Sequence, residues 1–73
     1  MHKNASAVLG ARLRQVRRDR RLTVDTLAER AGVSVRTVIN IESGQWNPRL
    51  DIIESLAQAL DLTVADLVAD DAA

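Results

Sequence analysis

Apolar residues recur at helical spacing in five separate stretches of the chain. Leu9, Leu13 and Val16 line one side of a segment that covers about residues 6–20, and arginines occupy its other faces. Four further stretches cover residues 24–31, 35–42, 50–60 and a short final segment that includes Leu67 and Val68. No segment alternates with a period of two. The pattern therefore predicts an all-α fold, a compact bundle of five helices.

Capping residues stand at the boundaries of these helices. Serine and threonine are favoured before the first helical turn, and glycine is favoured after the last one. In Thr63-Val64-Ala65-Asp66 the first and fourth residues match a capping box, with aspartate in place of glutamate. Residues 43–48 read as a loop because glycine, asparagine and proline interrupt them. The other caps are Thr23, Gly32, Ser34 and Gly44.

The second and third helices are separated only by Gly32-Val33-Ser34. So short a link prevents antiparallel packing, so the two helices must cross steeply, as in a helix-turn-helix unit. The outward side of the third helix then carries Val35, Arg36, Ile39 and Asn40. Arginine can bind guanine, asparagine can bind adenine, and an aliphatic side chain can contact a thymine methyl. The alternative is that the two aliphatic residues are spare apolar surface or part of a protein interface.

Composition restricts the function classes. The 73 residues suffice for one domain, and 47% hydrophobic residues are too many for a disordered chain. With no cysteine and a single histidine, we expect no disulfide, no metal site, no cofactor and no enzymatic activity. The N-terminus lacks a secretory signal and no stretch is long enough to span a membrane, which predicts a cytoplasmic protein.

The charges are separated along the chain although they cancel overall. Residues 1–36 hold nine of the ten cations and three anions, whereas residues 37–73 hold one cation and seven anions. Such a chain can present a basic face to phosphate and an acidic face away from it. Two solvated surfaces of opposite sign are an equally good interpretation of the charge alone.

The order of several fragments resembles the phage-repressor/Cro-type (Xre) helix-turn-helix family. The fragments are 9–17 (LGARLRQVR), 27–34 (LAERAGVS), 37–44 (TVINIESG), Asn47-Pro48 and 56–60 (LAQAL). The resemblance runs from about residue 8 to 68 and implies a lambda-repressor-like fold. We expect a flexible arm at 1–7, a DNA-binding domain at 8–69 with the motif at 23–42, and a frayed tail at 70–73.

The resemblance also implies which residues contact DNA. The recognition helix is 35–42, and its base-contacting residues are Val35, Arg36 and Asn40. The phosphate-contacting positions are Ser34, Thr37, Gln45, Trp46, Asn47 and Arg49. For Trp46 two interpretations stay open, because its indole N–H can reach phosphate or its ring can cover the edge of the core.

One internal contact is implied by the resemblance alone. Arg17 and Glu42 match positions that form a buried ion pair between the first helix and the recognition helix. Three positions depart from the family pattern. Val24 replaces a glutamine that contacts phosphate, Arg21 replaces a glycine and adds a cation near DNA, and Arg49 replaces a capping serine or threonine.

These features predict a regulator of transcription that represses as a homodimer on a palindromic operator of double-stranded DNA. A two-fold dimer would place two recognition helices about 34 Å apart, on successive faces of the major groove. The alternative is an antitoxin-like or protein-interaction module that binds a toxin or another regulator through its acidic C-terminal half. The apolar residues of that half are Leu62, Val64, Leu67 and Val68.

Overall fold

The computed structural model describes residues 5–68, and all of its regular structure is helical. The helices are α1 (Ala5–Asp19), α2 (Val24–Ala31), α3 (Val35–Glu42), α4 (Leu50–Ala59) and α5 (Val64–Val68). The predicted all-α bundle of five helices is confirmed. Residues 5–7, assigned to an N-terminal arm by the sequence, form the first turn of α1 instead. The tail at 70–73 lies outside the described residues.

Side-chain caps fix the starts of three helices. The Thr23 hydroxyl accepts a hydrogen bond from the Thr26 backbone N–H at 3.0 Å, and the Thr63 hydroxyl accepts one from the Asp66 N–H at 3.0 Å. The Asp66 carboxylate in turn accepts from the Thr63 N–H, which completes the predicted capping box. Ser34 caps α3 in the same way. Each cap satisfies a donor that the helix itself leaves unpaired.

The five helices enclose one core of aliphatic side chains. Leu13 of α1, Leu27 of α2, Ile41 of α3, Leu56 of α4 and Leu67 of α5 are all fully or almost fully buried. The first helix packs against α3, and α2 packs against both α3 and α4. The short α5 closes the bundle against α1 and α4. Each helix therefore contributes its apolar stripe to the same core, and α3 is held between α1 and α2.

Gly10 marks the closest approach of α1 to the end of α3. A Cβ atom built on Gly10 would lie 2.2 Å from the backbone carbonyl oxygen of Ile41 and 2.8 Å from that of Glu42. Real carbon and oxygen atoms never come so close without a covalent bond, so only glycine fits between the two backbones. This contact sets the distance between α1 and α3.

The same helix-ending turn occurs after α1 and after α4, and neither turn contains glycine. Arg21 and Asp61 both have φ 58°, in the left-handed region. The Leu22 N–H donates to the Arg17 carbonyl at 3.1 Å, and the Leu62 N–H donates to the Ala57 carbonyl at 2.8 Å. These are Schellman-type turns, in which a left-handed residue costs a non-glycine side chain about 1–2 kcal/mol.

We expect Arg21→Gly to raise the free energy of unfolding by about 0.5–1 kcal/mol. Glycine removes the left-handed strain, although part of that gain is offset by the greater freedom of glycine in the unfolded chain. For a domain of this size the change corresponds to an increase in Tm of a few degrees, measurable by thermal melting.

The matched control for this prediction is Arg20→Gly, which removes the same charge one residue earlier. Arg20 does not have positive φ. Glycine there should therefore lower the melting temperature. If both variants melted at the same temperature, strain at Arg21 would not be the cause.

Candidate nucleic-acid interface

The second and third helices form a helix-turn-helix unit with a three-residue connection. Gly32 has φ 73°, and the Val33 N–H donates to the Ala28 carbonyl at 3.0 Å, so α2 ends in a Schellman-type turn. Ser34 then caps α3 at once, with its hydroxyl 3.0 Å from the Thr37 N–H. The sequence-predicted bounds of both helices agree with the structure.

One side of α3 is buried and the opposite side is open. Val38 and Ile41 are completely buried. At about 100° per residue, Arg36 and Asn40 lie on the side of the helix away from them. Arg36 is exposed, and its guanidinium has no hydrogen-bond or ion-pair partner within residues 5–68. The Arg36 guanidinium, with five free donors, and the Asn40 carboxamide therefore lie about one helical turn apart on the open face.

Arg36 and Asn40 form the polar centre of the open face, and the aliphatic residues Val35 and Ile39 border this polar centre on one side. Their relative exposures are 38% and 48%. Both are therefore on the surface of α3 and available to a partner. Thr37 borders the polar centre on the other side and is half-buried.

Ser34 and Thr37 hold their hydroxyls together at the start of α3. The two oxygens are 2.9 Å apart, and Ser34 Oγ also accepts the Thr37 N–H. One hydroxyl proton is used inside the pair, so one remains for an outside acceptor such as a phosphate oxygen. The capping role of Ser34 is compatible with a phosphate contact, because both act at the positive end of the helix.

The loop after α3 brings predicted phosphate-contacting residues next to predicted base-contacting ones. The Gln45 N–H donates to the Asn40 carbonyl at 3.2 Å, and Pro48 is buried and anchors the far end of the loop. An open groove of about 300 Å³ runs between the loop and α3. It is lined by Thr37, Asn40, Gln45 and Trp46.

Trp46 is the aromatic residue of the loop and is partly open to solvent. The residue is 39% exposed, so part of its surface is available to a partner and the rest is covered by the protein. Both interpretations of Trp46, a phosphate donor and a cover over the edge of the core, stay predictions. Trp46 lines the groove together with Gln45.

The remaining predicted phosphate contacts are exposed and lie outside the groove. Asn47 is exposed in the loop, and Arg21 is exposed at the end of α1. The Arg49 side chain is 82% exposed and makes one contact, an ion pair with Asp51 at 3.1 Å. Arg49 makes no cap on α4, as expected, and the Asp51 carboxylate bonds the Ile52 N–H in the first turn instead.

The structure brings Arg17 and Glu42 together in a buried, two-pronged ion pair. Arg17 Nε donates to Glu42 Oε2 at 2.6 Å, and Arg17 Nη2 donates to Glu42 Oε1 at 3.0 Å. The side chains are 11% and 3% exposed. The hydrogen bonds that Arg17 donates to the Glu42 carboxylate raise the pKa of Arg17, and so does the negative charge of Glu42, while burial opposes this shift. The pair joins the end of α1 to the end of α3.

Sequence reasoning missed two further contacts of this pair. Arg17 Nη1 donates to the Leu22 carbonyl at 2.8 Å, so the same side chain also holds the turn before α2. Arg14 Nε lies 3.4 Å from Glu42 Oε1, with half of its side chain exposed. The i, i+3 spacing of Arg14 and Arg17 places both on one face of α1 and could have indicated the shared partner.

Among residues 5–68, no three histidine, cysteine, aspartate or glutamate side chains are grouped so that they could hold a metal ion. The helices of that described part are too short and too polar for one of them to cross a membrane.

A family model described as a helix-turn-helix domain matches residues 8–69. The immunity repressor protein of Bacillus phage phi105 is 35% identical over 63 residues, which are 86% of this chain and 44% of the repressor. The chain thus spans less than half the length of this relative. The relative is named as a regulator and not as an enzyme.

Solved structures agree with the sequence relatives. The restriction-modification controller protein C.AhdI from Aeromonas hydrophila superimposes with a TM-score of 0.83 at 37% identity, covering 85% of this chain and 94% of its own. A complex of the SinR protein with the SinI protein gives a TM-score of 0.82 at 29% identity, and the match covers 88% of this chain and 63% of the matched chain. These neighbours have the same arrangement of helices as the chain described here.

Proposed function

This chain belongs to the helix-turn-helix family, and from that premise we propose that it regulates transcription by binding a specific sequence of double-stranded DNA. The observation that carries the proposal is the open face of α3, where Arg36 and Asn40 stand opposite the buried Val38 and Ile41. A helix has the right diameter to enter the major groove of B-DNA, where each base pair presents a distinct pattern of donors and acceptors.

Each side chain of this face suits one kind of base edge. The Arg36 guanidinium can donate two parallel hydrogen bonds to O6 and N7 of guanine. The Asn40 carboxamide can donate to N7 of adenine and accept from its N6 amino group. Val35, at the first position of α3, can contact a base edge through its methyl groups. We assign base reading to these three residues.

The surrounding polar groups can fix the position of the helix on the DNA. Phosphate contacts set register and orientation but carry no sequence information of their own. Ser34 and Thr37 offer a free hydroxyl proton at the start of α3, and the loop offers donors beside the groove. The assigned phosphate contacts are Ser34, Thr37, Gln45, Trp46, Asn47, Arg49 and Arg21.

We further propose that two copies bind a palindromic operator as a homodimer. The longest dimension of the domain is 35 Å, so a two-fold pair can place its two α3 helices about 34 Å apart, the spacing between successive major-groove faces. Leu50 and Val68 are exposed apolar residues on α4 and α5 and are available for the subunit contact. We expect repression rather than activation, as the name of the phage relative suggests, and action in the cytoplasm where the operator is found.

Selection of binding sites from random duplex DNA, repeated over a salt series, tests the proposal. Enrichment of a palindrome with half-sites one helical turn apart is the expected result. Weak binding without an enriched sequence, and with a steep salt dependence, would mean that only nonspecific attraction to phosphate operates.

The SinR–SinI complex supports a second candidate, a surface that binds another protein. Of the four apolar residues that the sequence assigned to this surface, Leu67 is completely buried, Leu62 and Val64 pack against the core, and only Val68 is exposed. The candidate surface is therefore the acidic C-terminal helices with exposed Leu50 and Val68, and a toxin or another regulator is the kind of partner. A chain that enriches no DNA sequence but forms a stable complex with such a protein would replace the DNA-binding proposal.

Arg36→Ala should weaken binding to the selected site by about 1–3 kcal/mol and leave the melting temperature nearly unchanged. The side chain is exposed and has no partner in the described part of the chain, so its loss affects only the DNA contact. Affinity for the selected site and for random DNA, measured by fluorescence anisotropy, gives the result.

Arg49→Ala is the matched control for Arg36→Ala because it removes the same charge from a predicted phosphate contact. It should weaken binding to both DNAs equally and reduce the salt slope by about 1. Equal losses on both DNAs from Arg36→Ala would instead show that Arg36 contacts phosphate.

A further inference from the structure

Two aliphatic side chains form an apolar strip on the exposed surface of the recognition helix. Val35 and Ile39 are four residues apart, which places them about 40° apart around α3 and one above the other. They are 38% and 48% exposed, whereas Val38 and Ile41 of the same helix are completely buried. The core is therefore complete without the strip, whose outer surface remains open to solvent in the folded chain.

The strip lies beside the polar groups assigned to base reading. Each of its residues is followed directly in sequence by one of those groups, Val35 by Arg36 and Ile39 by Asn40. A rotation of about 100° around the helix separates each aliphatic residue from the next polar one. When the polar centre faces one base pair, the apolar strip faces a neighbouring one.

The major groove offers one apolar group at a base edge, the C5 methyl of thymine. Cytosine and the two purines present only hydrogen-bonding groups or ring C–H atoms there. A polar base edge would be desolvated against a branched aliphatic side chain with no hydrogen bond in return. A methyl group would gain from the same contact because both surfaces leave water.

We propose that Val35 and Ile39 read thymine C5 methyl groups, so that the operator half-site requires thymine next to the base pairs read by Arg36 and Asn40. The inference rests on the proposed function and adds Ile39 to the residues that determine specificity. It identifies the ligand as duplex DNA that carries thymine at fixed positions of each half-site.

Single deoxyuridine replacements in the selected site test this inference. Uracil pairs with adenine as thymine does and lacks only the C5 methyl. At one or two positions in each half-site, the full-length chain should bind the deoxyuridine duplex about four-fold more weakly, as burial of one methyl group predicts. Deoxyuridine at any of the remaining thymine positions should leave the affinity of the chain for the duplex unchanged.

A double-mutant comparison assigns each sensitive position to its side chain. Ile39→Ala should bind thymine and deoxyuridine duplexes equally at one sensitive position, and Val35→Ala should do so at another. The control is Glu29→Ala, which truncates an exposed residue of α2 outside the proposed DNA and subunit contacts and should preserve the thymine preference in full. Both recognition-helix residues are on the surface, and thermal melting verifies that the variants fold.

The outcomes separate this inference from the proposed function. Equal affinity for every deoxyuridine duplex, in a protein that still selects a specific sequence, overturns the inference and leaves the proposed function standing. A thymine preference that persists in both alanine variants also overturns the inference, because the preference then comes from the DNA itself and not from contact with Val35 or Ile39. Failure to enrich any sequence removes the proposed function, and this inference with it.

Discussion

Replacing Gly10 with alanine should lower the free energy of unfolding by about 3 kcal/mol or more. Helix propensity alone predicts the opposite sign, because alanine is favoured over glycine within a helix by about 1 kcal/mol. The new methyl group would lie 2.2 Å from the Ile41 carbonyl oxygen and 2.8 Å from that of Glu42. Both atoms belong to backbone, so no side-chain rotation relieves the overlap and α1 must move away from α3.

Urea denaturation of Gly10→Ala and of Ala11→Gly measures this effect. Ala11 is the exposed neighbour of Gly10 in the same helix, and its replacement should cost only the propensity difference of about 1 kcal/mol. A stabilised Gly10→Ala variant would show that α1 and α3 are not in backbone contact. Because a domain of this length has a small stability margin, Gly10→Ala should be largely unfolded at 37 °C.

Arg17→Ala should destabilise the fold by about 3–5 kcal/mol. The change leaves the Glu42 carboxylate, whose side chain is only 3% exposed, without its two-pronged partner. It also removes the donor to the Leu22 carbonyl. The remaining partner, Arg14, lies at 3.4 Å and is half exposed, so it replaces little of the lost interaction.

The matched control for Arg17→Ala is Arg18→Ala, the next residue of α1. Arg18 is exposed and has no partner within the described residues, so its loss should cost less than about 1 kcal/mol. The double replacement of Arg17 by methionine and Glu42 by leucine should recover most of the stability, because no buried charge is left unpaired. Equal melting temperatures for Arg17→Ala and Arg18→Ala would show that the pair is solvent-exposed.

Local signals in the sequence determined the helices and most of their ends. Apolar residues at helical spacing located all five helices, and the bounds of α2 and α3 were predicted without error. The hydroxyl caps at Thr23 and Ser34 bond backbone N–H groups within four residues of their own position, and the left-handed Gly32 ends α2 by equally local bonds. Such signals depend on neighbouring residues only, so they can be read directly from the order of amino acids.

The exposed face of α3 was also predictable, because it follows from the same periodicity. Once Val38 and Ile41 were assigned to the core, Arg36 and Asn40 had to lie on the other side. The role of this face in binding bases remains a prediction. The sequence gives the side chains of this face and therefore their chemistry. It does not give the molecule that the face binds, because that molecule is not part of the chain.

Only the tertiary structure decided which distant residues meet. The contact between Arg17 and Glu42 spans 25 residues, and from the residues alone both would be assigned to the surface. The need for glycine at position 10 arises from a carbonyl 31 residues later, and nothing near Gly10 in the sequence indicates it. Trp46 lines the groove beside α3, where the Gln45 N–H bonds back to the Asn40 carbonyl. The physical reason is the same in each case, since helical periodicity specifies which side of a helix is buried but not which helix covers it or how closely.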